Sequence, residues 1–187
     1  MSLAPQHLVI LTGATRGMGQ AMARQLLTPD RRLLCISRHT DPDLDELERL
    51  RGASLEQWSQ DLAEASEAAV RLDAWLDGQT PDDFASATLI NNAGVIPRIG
   101  PIDQCPAGEL ANALRVGLEA PMQLTAAFLR ATLKWVDAGW RGPRKVLNIS
   151  SGLGRRPMAA QAPYCAAKAG LDHFTRCSAL DEAQREH

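Results

Sequence analysis

Short apolar runs alternate with helix-length segments along almost the whole chain of 187 residues, and this alternation restricts the possible folds more than any other feature. The apolar runs predict five strands, at 7–12, 31–37, within 55–62, at 87–94 and at 144–151. The intervening segments predict five helices, the fourth over about 107–136 and the last from about 162 to the end. Buried strands separated by helices are typical of a parallel sheet covered on both faces.

Right-handed crossovers between parallel strands give a doubly wound α/β sheet of the Rossmann type, for which we predict the strand order 3-2-1-4-5. We interpret residues 1–187 as one domain, because a chain of this length is short for two. Ligands of such sheets bind beyond the carboxyl ends of the strands. The residues at those ends are therefore the first candidates for a functional site.

Composition excludes several classes of partner. Twenty basic and 22 acidic residues leave a net charge of −2, which gives no attraction for nucleic acid or an anionic membrane. The cysteines and histidines show no metal-ligand spacing, and the first residues lack the pattern of a signal peptide. We therefore expect a cytoplasmic protein with reduced cysteines, no metal, and a small molecule as its partner.

The glycine-rich stretch "TGATRGMG" (12–19) directly follows the first strand and opens a helix. Gly13 permits a tight turn, Gly17 lets a pyrophosphate approach the backbone, and Gly19 lets helix and strand pack closely. The helix N-terminus then faces the phosphate charge. The stretch predicts a dinucleotide site that also includes Thr15 and Met18, although a tight turn without a ligand has the same pattern.

The end of the second strand indicates which dinucleotide would bind. An NAD site usually has Asp or Glu there, whereas an arginine accommodates a 2′-phosphate. Here Ser37 stands in the acidic position, Arg38 follows it, and Arg16 adds a second cation from the glycine loop. This pattern favours NADP(H) over NAD(H). A solvated surface role for Arg38 remains the alternative.

Two further strand ends complete the predicted cofactor bed. Asp61 and Leu62 follow the third strand, in a position suitable for the adenine edge. "NNAG" (91–94) ends the fourth strand, and its first two amides could tie neighbouring strands together. From this motif we assign to the cofactor Asn92, Ala93 and Gly94.

"PYCAAK" contains the only tyrosine of the chain, Tyr164, with Lys168 one helical turn later. Reduction of a carbonyl leaves charge on oxygen, which needs a proton and hydrogen-bond donors in place. A free phenol ionises near pH 10, and a nearby ammonium favours its ionised form. The pair is interpreted as a proton donor and its tuning cation. The alternative is an aromatic packed on the sheet with a solvated lysine.

Taken together, "TGATRGMG", "NNAG", "NISSG" and "YCAAK" resemble the short-chain dehydrogenase/reductase family of the classical type. "NNAGVIPRIGPI", "APMQLT" and "YCAAKAGLDHFT" are similar to its benzil reductase and sepiapterin reductase branch. The resemblance implies a catalytic trio of Ser151, Tyr164 and Lys168. In it, Ser151 would hold the carbonyl oxygen, and Lys168 would also hold the nicotinamide ribose.

The expected function is NADP-dependent reduction of a ketone or vicinal diketone to an alcohol. A non-catalytic NADP(H)-binding or sensor module and a 3-oxoacyl-carrier-protein reductase-like enzyme are the alternatives. The resemblance also implies a homodimer or homotetramer formed through the two long helices. Four apolar positions fit that contact, or equally a stripe facing the sheet, namely Leu124, Phe128, Leu171 and Phe174.

Two departures from the family pattern stand out. Gly117 occupies the position of an asparagine that supports a water relay to the lysine, so a water could take its place and proton supply could be slower or rerouted. Family members usually have two more strands and a substrate lid, whereas this chain stops after the fifth βα unit. We therefore expect the domain to be C-terminally incomplete, with an exposed fifth strand.

Overall fold

Five parallel strands form the sheet of the computed structural model, which describes residues 4–185. The strands are β1 (Gln6–Thr12), β2 (Arg31–Ser37), β3 (Ser54–Ser59), β4 (Phe84–Asn91) and β5 (Arg144–Asn148). Their order is β3-β2-β1-β4-β5, which confirms the prediction. The helices are α1 (Gly17–Leu26), α2 (Pro42–Arg51), α3 (Ala65–Asp77), α4 (Ala107–Leu114), α5 (Ala120–Asp137) and α6 (Ala162–Arg185).

Both faces of the central strands are buried, as continuous apolar runs require. Alternate residues of β1 enter two separate cores, because successive side chains of a strand point to opposite faces. Leu8 and Ile10 pack in the core formed with α3 and α5, whereas Val9 and Leu11 pack in the core formed with α1 and α2. The carboxyl ends of the strands are thereby held at one edge of the sheet.

The helix predicted over 107–136 is interrupted. A π-helical turn, Arg115–Glu119, separates α4 from α5. Pro121 explains the interruption, because proline lacks an N–H and its ring displaces the carbonyl four residues earlier, which is that of Gly117. Single π turns of this kind are frequent at functional sites.

The apolar stripe of the long helices faces the sheet. Leu124, Phe128 and Leu171 are almost completely buried within the chain, and Phe174 is half-buried. The first three are therefore core residues and not part of a surface for a second subunit. Leu124 and Phe128 pack in the core beside the sheet, so the sheet-facing stripe is the interpretation that the structure supports for these two.

The fifth strand is the least buried of the five. Like β3 it is an edge strand with one neighbour, and none of its five residues is buried. The side chain of Leu147 is 49% exposed.

Between residues 4 and 185, the structure has no helix with the length and apolarity needed to cross a membrane.

Candidate active site

A cavity of about 540 Å³ opens at the carboxyl ends of the strands. Every residue that the sequence assigned to the cofactor lines it, namely Gly13, Thr15, Arg16, Gly17, Met18, Gly19, Ser37, Arg38, Asp61, Leu62, Asn92, Ala93, Gly94, Tyr164 and Lys168. These residues come from four strand ends and two helices. The topology therefore brings one set of predicted residues into one cleft, with a volume in the range of small-molecule sites.

The glycine loop has the geometry that its sequence predicts. Gly13 and Gly17 have φ of +71° and +55°, values that residues with side chains rarely adopt. A Cβ on Gly13 would lie 2.9 Å from the Cα of Ala93, and one on Gly19 would collide with the carbonyl oxygen of Gly13. Apart from Gly17, its two chain neighbours and the adjoining backbone of α1, no residue within 4–185 places an atom within 4 Å of a Cβ built on Gly17, so the space over that residue is open.

The first turn of α1 presents its N–H groups without a capping side chain. Arg16 occupies the N-cap position in an extended conformation and makes no side-chain cap, and no acidic residue lies in the first turn. Uncapped amides and the helix dipole suit an anion. Together with the open space over Gly17, they fit the pyrophosphate of a dinucleotide.

Hydrogen bonds from β4 hold the loop in shape. The Thr12 hydroxyl accepts from the backbone N–H groups of Asn92 and Ala93, both at 3.0 Å. The Asn92 side-chain amide donates to the carbonyls of Thr12 and Gly13, both at 3.1 Å. Asn91 donates to Asn148 on β5 at 2.8 Å. The two asparagines thus tie neighbouring strands, and Asn92 also borders the cavity.

At the end of β2, cations lie at the cavity and no carboxylate takes the usual acidic position. The Ser37 hydroxyl accepts from the backbone N–H of Ala14 at 2.9 Å, which fastens β2 to the glycine loop. Arg16 and Arg38 are exposed and line the cavity. The next acid along the chain, Asp41, is turned inward and accepts from the Gln20 amide at 2.7 Å.

Lys168 and Tyr164 meet at the other end of the cleft. Both lie on α6, and the Lys168 Nζ is 5.8 Å from the centroid of the tyrosine ring. Lys168 is 4% exposed, and its ammonium donates to the carbonyl of Ile149 at 2.7 Å. Burial lowers the pKa of Lys168 below its ordinary value, while the Asp172 carboxylate acts in the opposite direction. Lys168 is therefore a buried group at the cavity wall and not a solvated surface lysine.

Ser151 does not line the cavity that Tyr164 and Lys168 share, whereas Ser150 does. The Ser151 hydroxyl accepts from the backbone N–H of Leu153 at 3.2 Å, and so caps the short 3₁₀ turn Gly152–Gly154. Of the predicted trio, Tyr164 and Lys168 therefore share the cavity, and Ser151 lies outside its lining.

Gly117 lies in the π turn and faces α6. A Cβ on it would be 3.1 Å from the Cβ of Ala167, the residue before Lys168. Little room is left beside Gly117, so the close approach of the two helices itself depends on this glycine. A larger side chain would press directly on the segment that carries the lysine.

Nine lining residues lie outside the predicted cofactor set: Ile36, His39, Gln60, Val95, Ile96, Asn112, Val116, Ile149 and Ser150. Most belong to strand ends next to predicted residues and follow from the topology once it is known. Asn112 and Val116 lie four residues apart on the predicted helix, which places them on one face. For His39, the only feature of the sequence that could have indicated a place at the cavity is its position directly after Arg38.

A comparison with protein families matches residues 7–186 to the model described as "short chain dehydrogenase". The chain belongs to the short-chain dehydrogenase family. It is 33% identical to the benzil reductase ((S)-benzoin forming) of Bacillus cereus, over 96% of this chain and 70% of that protein. It is 29% identical to the sepiapterin reductase of Bos taurus, over 94% of this chain and 67% of that protein. The predicted family and branch are confirmed.

Solved structures of family members have the same architecture. A metagenomic short-chain oxidoreductase in complex with NADP is 29% identical with a TM-score of 0.79, covering 97% of this chain and 79% of that one. A 3-oxoacyl-[acyl-carrier protein] reductase from Brucella melitensis in complex with NAD is 28% identical, also with a TM-score of 0.79, covering 96% and 69%. The chain is thus an oxidoreductase of this family, with structural neighbours that bind either dinucleotide.

Proposed function

We propose that this short-chain dehydrogenase reduces a ketone or vicinal diketone to an alcohol, with NADPH as the hydride donor. The observation that carries the proposal is the buried Lys168 ammonium, held at 2.7 Å from the Ile149 carbonyl and 5.8 Å from the Tyr164 ring centroid at the cavity wall. A buried cation beside a phenol is what proton transfer to a developing alkoxide needs.

The proposed roles follow from this placement. A reduced nicotinamide, when bound, supplies the hydride that reduces the carbonyl carbon. The Tyr164 hydroxyl gives its proton to the carbonyl oxygen, and the Lys168 ammonium stabilises the phenolate that remains. Ser151 would donate to the same oxygen, because its hydroxyl only accepts the bond from the Leu153 N–H and keeps its own hydrogen to donate.

The chain's own groups also support the cofactor assignment. The uncapped N-terminus of α1 and the open space over Gly17 would hold the pyrophosphate. Arg16 and Arg38 would hold a 2′-phosphate at the end of β2, where no carboxylate is available for a ribose hydroxyl. This charge pattern supports NADP(H) as the preferred dinucleotide.

The experiment follows the loss of NADPH absorbance with a panel of 1,2-diketones and simple ketones. We expect turnover by the wild type and none by Tyr164→Phe, with NADPH affinity nearly unchanged in the variant. Phenylalanine keeps the ring and removes only the proton donor. Equal turnover by both proteins would contradict the role of Tyr164.

The position of Ser151 outside the cavity lining favours one other candidate, a module that binds NADP(H) without turnover. That candidate predicts NADPH binding to the wild type with no oxidation by any member of the panel. Turnover by the wild type separates the two functions. If the wild type turns over, Ser151→Ala lowers kcat where the serine donates to the substrate and leaves kcat unchanged where the serine only caps its turn.

A further inference from the structure

The segment between β5 and α6 contacts Lys168 near both of its ends. The Lys168 ammonium donates to the carbonyl of Ile149, directly after β5, at 2.7 Å. Five residues later, a Cβ built on Gly154 would lie 3.1 Å from the carbonyl carbon and the carbonyl oxygen of Lys168. Ser151 lies between these two contacts, so they determine where its hydroxyl stands relative to the residues of α6.

We propose that Gly154 is a positioning residue for Ser151, because the lack of a side chain at Gly154 lets the turn that carries the serine lie directly against α6. The inference rests on the proposed reductase function and adds to it a residue outside the cavity lining. Gly154 acts on the reaction only through the serine.

Gly154 is required for space and not for its backbone conformation. It is not among the glycines with positive φ, so alanine could adopt its backbone angles. A Cβ there would lie 2.9 Å from Oδ2 of Asp172, which is the end of a side chain that can turn away. The backbone of Lys168 is part of a helix and cannot turn away. Alanine at this position would therefore separate the turn from α6 by a few tenths of an ångström.

The separation would reach Ser151 because the turn is short and closed by two hydrogen bonds. The N–H of Gly154 donates to the Ser151 carbonyl at 3.0 Å, and the N–H of Leu153 donates to the Ser151 hydroxyl at 3.2 Å. The serine and the 3₁₀ turn Gly152–Gly154 therefore move as one unit.

A displaced serine affects the proposed reaction because one carbonyl oxygen has to contact two hydroxyls. Tyr164 lies on α6, so a turn that moves away from α6 takes the Ser151 hydroxyl further from the phenol. Hydrogen-bond donors stabilise a developing alkoxide only when they are already in place, and misplacement by a fraction of an ångström lowers the rate. Binding of the dinucleotide at the glycine loop does not depend on this contact.

The test measures kcat, KM and the NADPH dissociation constant with the ketone that the panel identifies. The proteins are the wild type, Gly154→Ala, Ser151→Ala and the double variant, with Gly152→Ala as the matched control. Gly152 lies in the same turn. Apart from its chain neighbours and the turn itself, no residue within 4–185 places an atom within 4 Å of a Cβ built on Gly152.

We expect Gly154→Ala to lower kcat about fivefold to tenfold, with the NADPH dissociation constant nearly unchanged. In the Ser151→Ala background the same change should have no further effect on kcat, because the displaced group is already absent. The alkaline limb of the kcat profile should stay in place, since the charge of Lys168 is not altered. Gly152→Ala should match the wild type. A merely structural role for Gly154 would lower stability without this dependence on Ser151.

Four outcomes would overturn the inference. Gly154→Ala could keep the wild-type kcat, or it could lower kcat by the same factor with and without Ser151, as a general packing defect would. It could shift the alkaline limb, which would assign the effect to Lys168. Ser151→Ala could turn over like the wild type, which would leave no serine role to support. Failure of the proposed function is recognised separately, in a wild type that oxidises NADPH with no member of the panel, and it would overturn this inference as well.

Discussion

The two ends of the cleft are built differently. At the glycine loop, β1 and β2 are buried from their third residue to their last, and a hydrogen bond that Ser37 accepts and one that Asn92 donates fix the backbone. At the tyrosine end, β5 is an edge strand with half-exposed side chains, and three side-chain hydrogen bonds join α6 to β5 and to Ile149 directly after it, with Arg144, Asn148 and Lys168 as donors. One end is fixed by many backbone contacts, whereas the other depends on a few side chains.

This difference indicates how the two halves of the site respond to substitution. Changes at the glycine loop act through packing and should alter stability and cofactor affinity together. Changes on α6 act through charge and proton transfer and should alter turnover with little effect on folding. The four predictions below test this division, from the largest expected effect to the smallest.

Replacement of Lys168 by methionine should lower kcat about a hundredfold or more, because it removes the cation beside the proton donor while filling the same space. The measurement is NADPH oxidation with the substrate found in the ketone panel. Lys134→Met is the matched control. Lys134 is exposed on α5 and pairs with Asp77 at 2.8 Å, so its loss should leave kcat unchanged.

Gly19→Ala should lower the free energy of unfolding by about 1–3 kcal/mol and weaken NADPH binding in parallel. The added Cβ would collide with the Gly13 carbonyl and with the Asn92 amide. Urea unfolding and NADPH titration measure the two effects. Gly108→Ala is the control, because no atom lies within 4 Å of a Cβ there. Stability changes of equal size in both variants would contradict the division.

Asp172→Asn should shift the alkaline limb of the kcat profile to lower pH. The Asp172 carboxylate raises the pKa of Lys168, which burial lowers, so removing that charge lowers the pKa further. The ammonium, and turnover with it, is then lost at lower pH. Asp181→Asn, an exposed change further along α6, should leave the profile unchanged. An unshifted Asp172→Asn profile would exclude this electrostatic role.

The reactivity of the cysteines towards a thiol reagent distinguishes the two regions in the wild-type protein. Burial in β2, assisted by Asp41, raises the pKa of Cys35 to about 12, so its reactive thiolate is scarce near neutral pH. We expect a thiol reagent to label exposed Cys177 on α6 rapidly and to leave Cys35 unlabelled until urea unfolds the chain. Labelling of Cys35 in the folded protein would show that the sheet opens more readily than its burial indicates.

The fold and the cofactor end of the site could be predicted because both follow local patterns. Buried parallel strands are continuous apolar runs, and the residues after them share one sheet edge. Gly13, Gly17 and Gly19 could be assigned because positive φ and close approach require glycine. Every residue predicted for the cofactor lines the same cavity at the carboxyl ends of the strands.

The remaining features depend on three-dimensional contacts that periodicity does not contain. The π turn results from Pro121 acting on a carbonyl one turn away, within a helix whose apolar pattern continues through it. Ser151 has the spacing of a site residue, but its hydroxyl caps its own turn. His39 and Asn112 reach the cavity from positions with no motif, so only the folded chain reveals them.

The hydroxyl of Thr12 has a consequence for the order of folding. It accepts from Asn92 and Ala93, about 80 residues further along the chain. Contacts of such sequence separation form late, because a long loop must close before they stabilise anything. The glycine loop follows β1 directly, yet it cannot reach its final shape until β4 has joined the sheet. Readiness to bind a dinucleotide therefore reports that the centre of the sheet is complete.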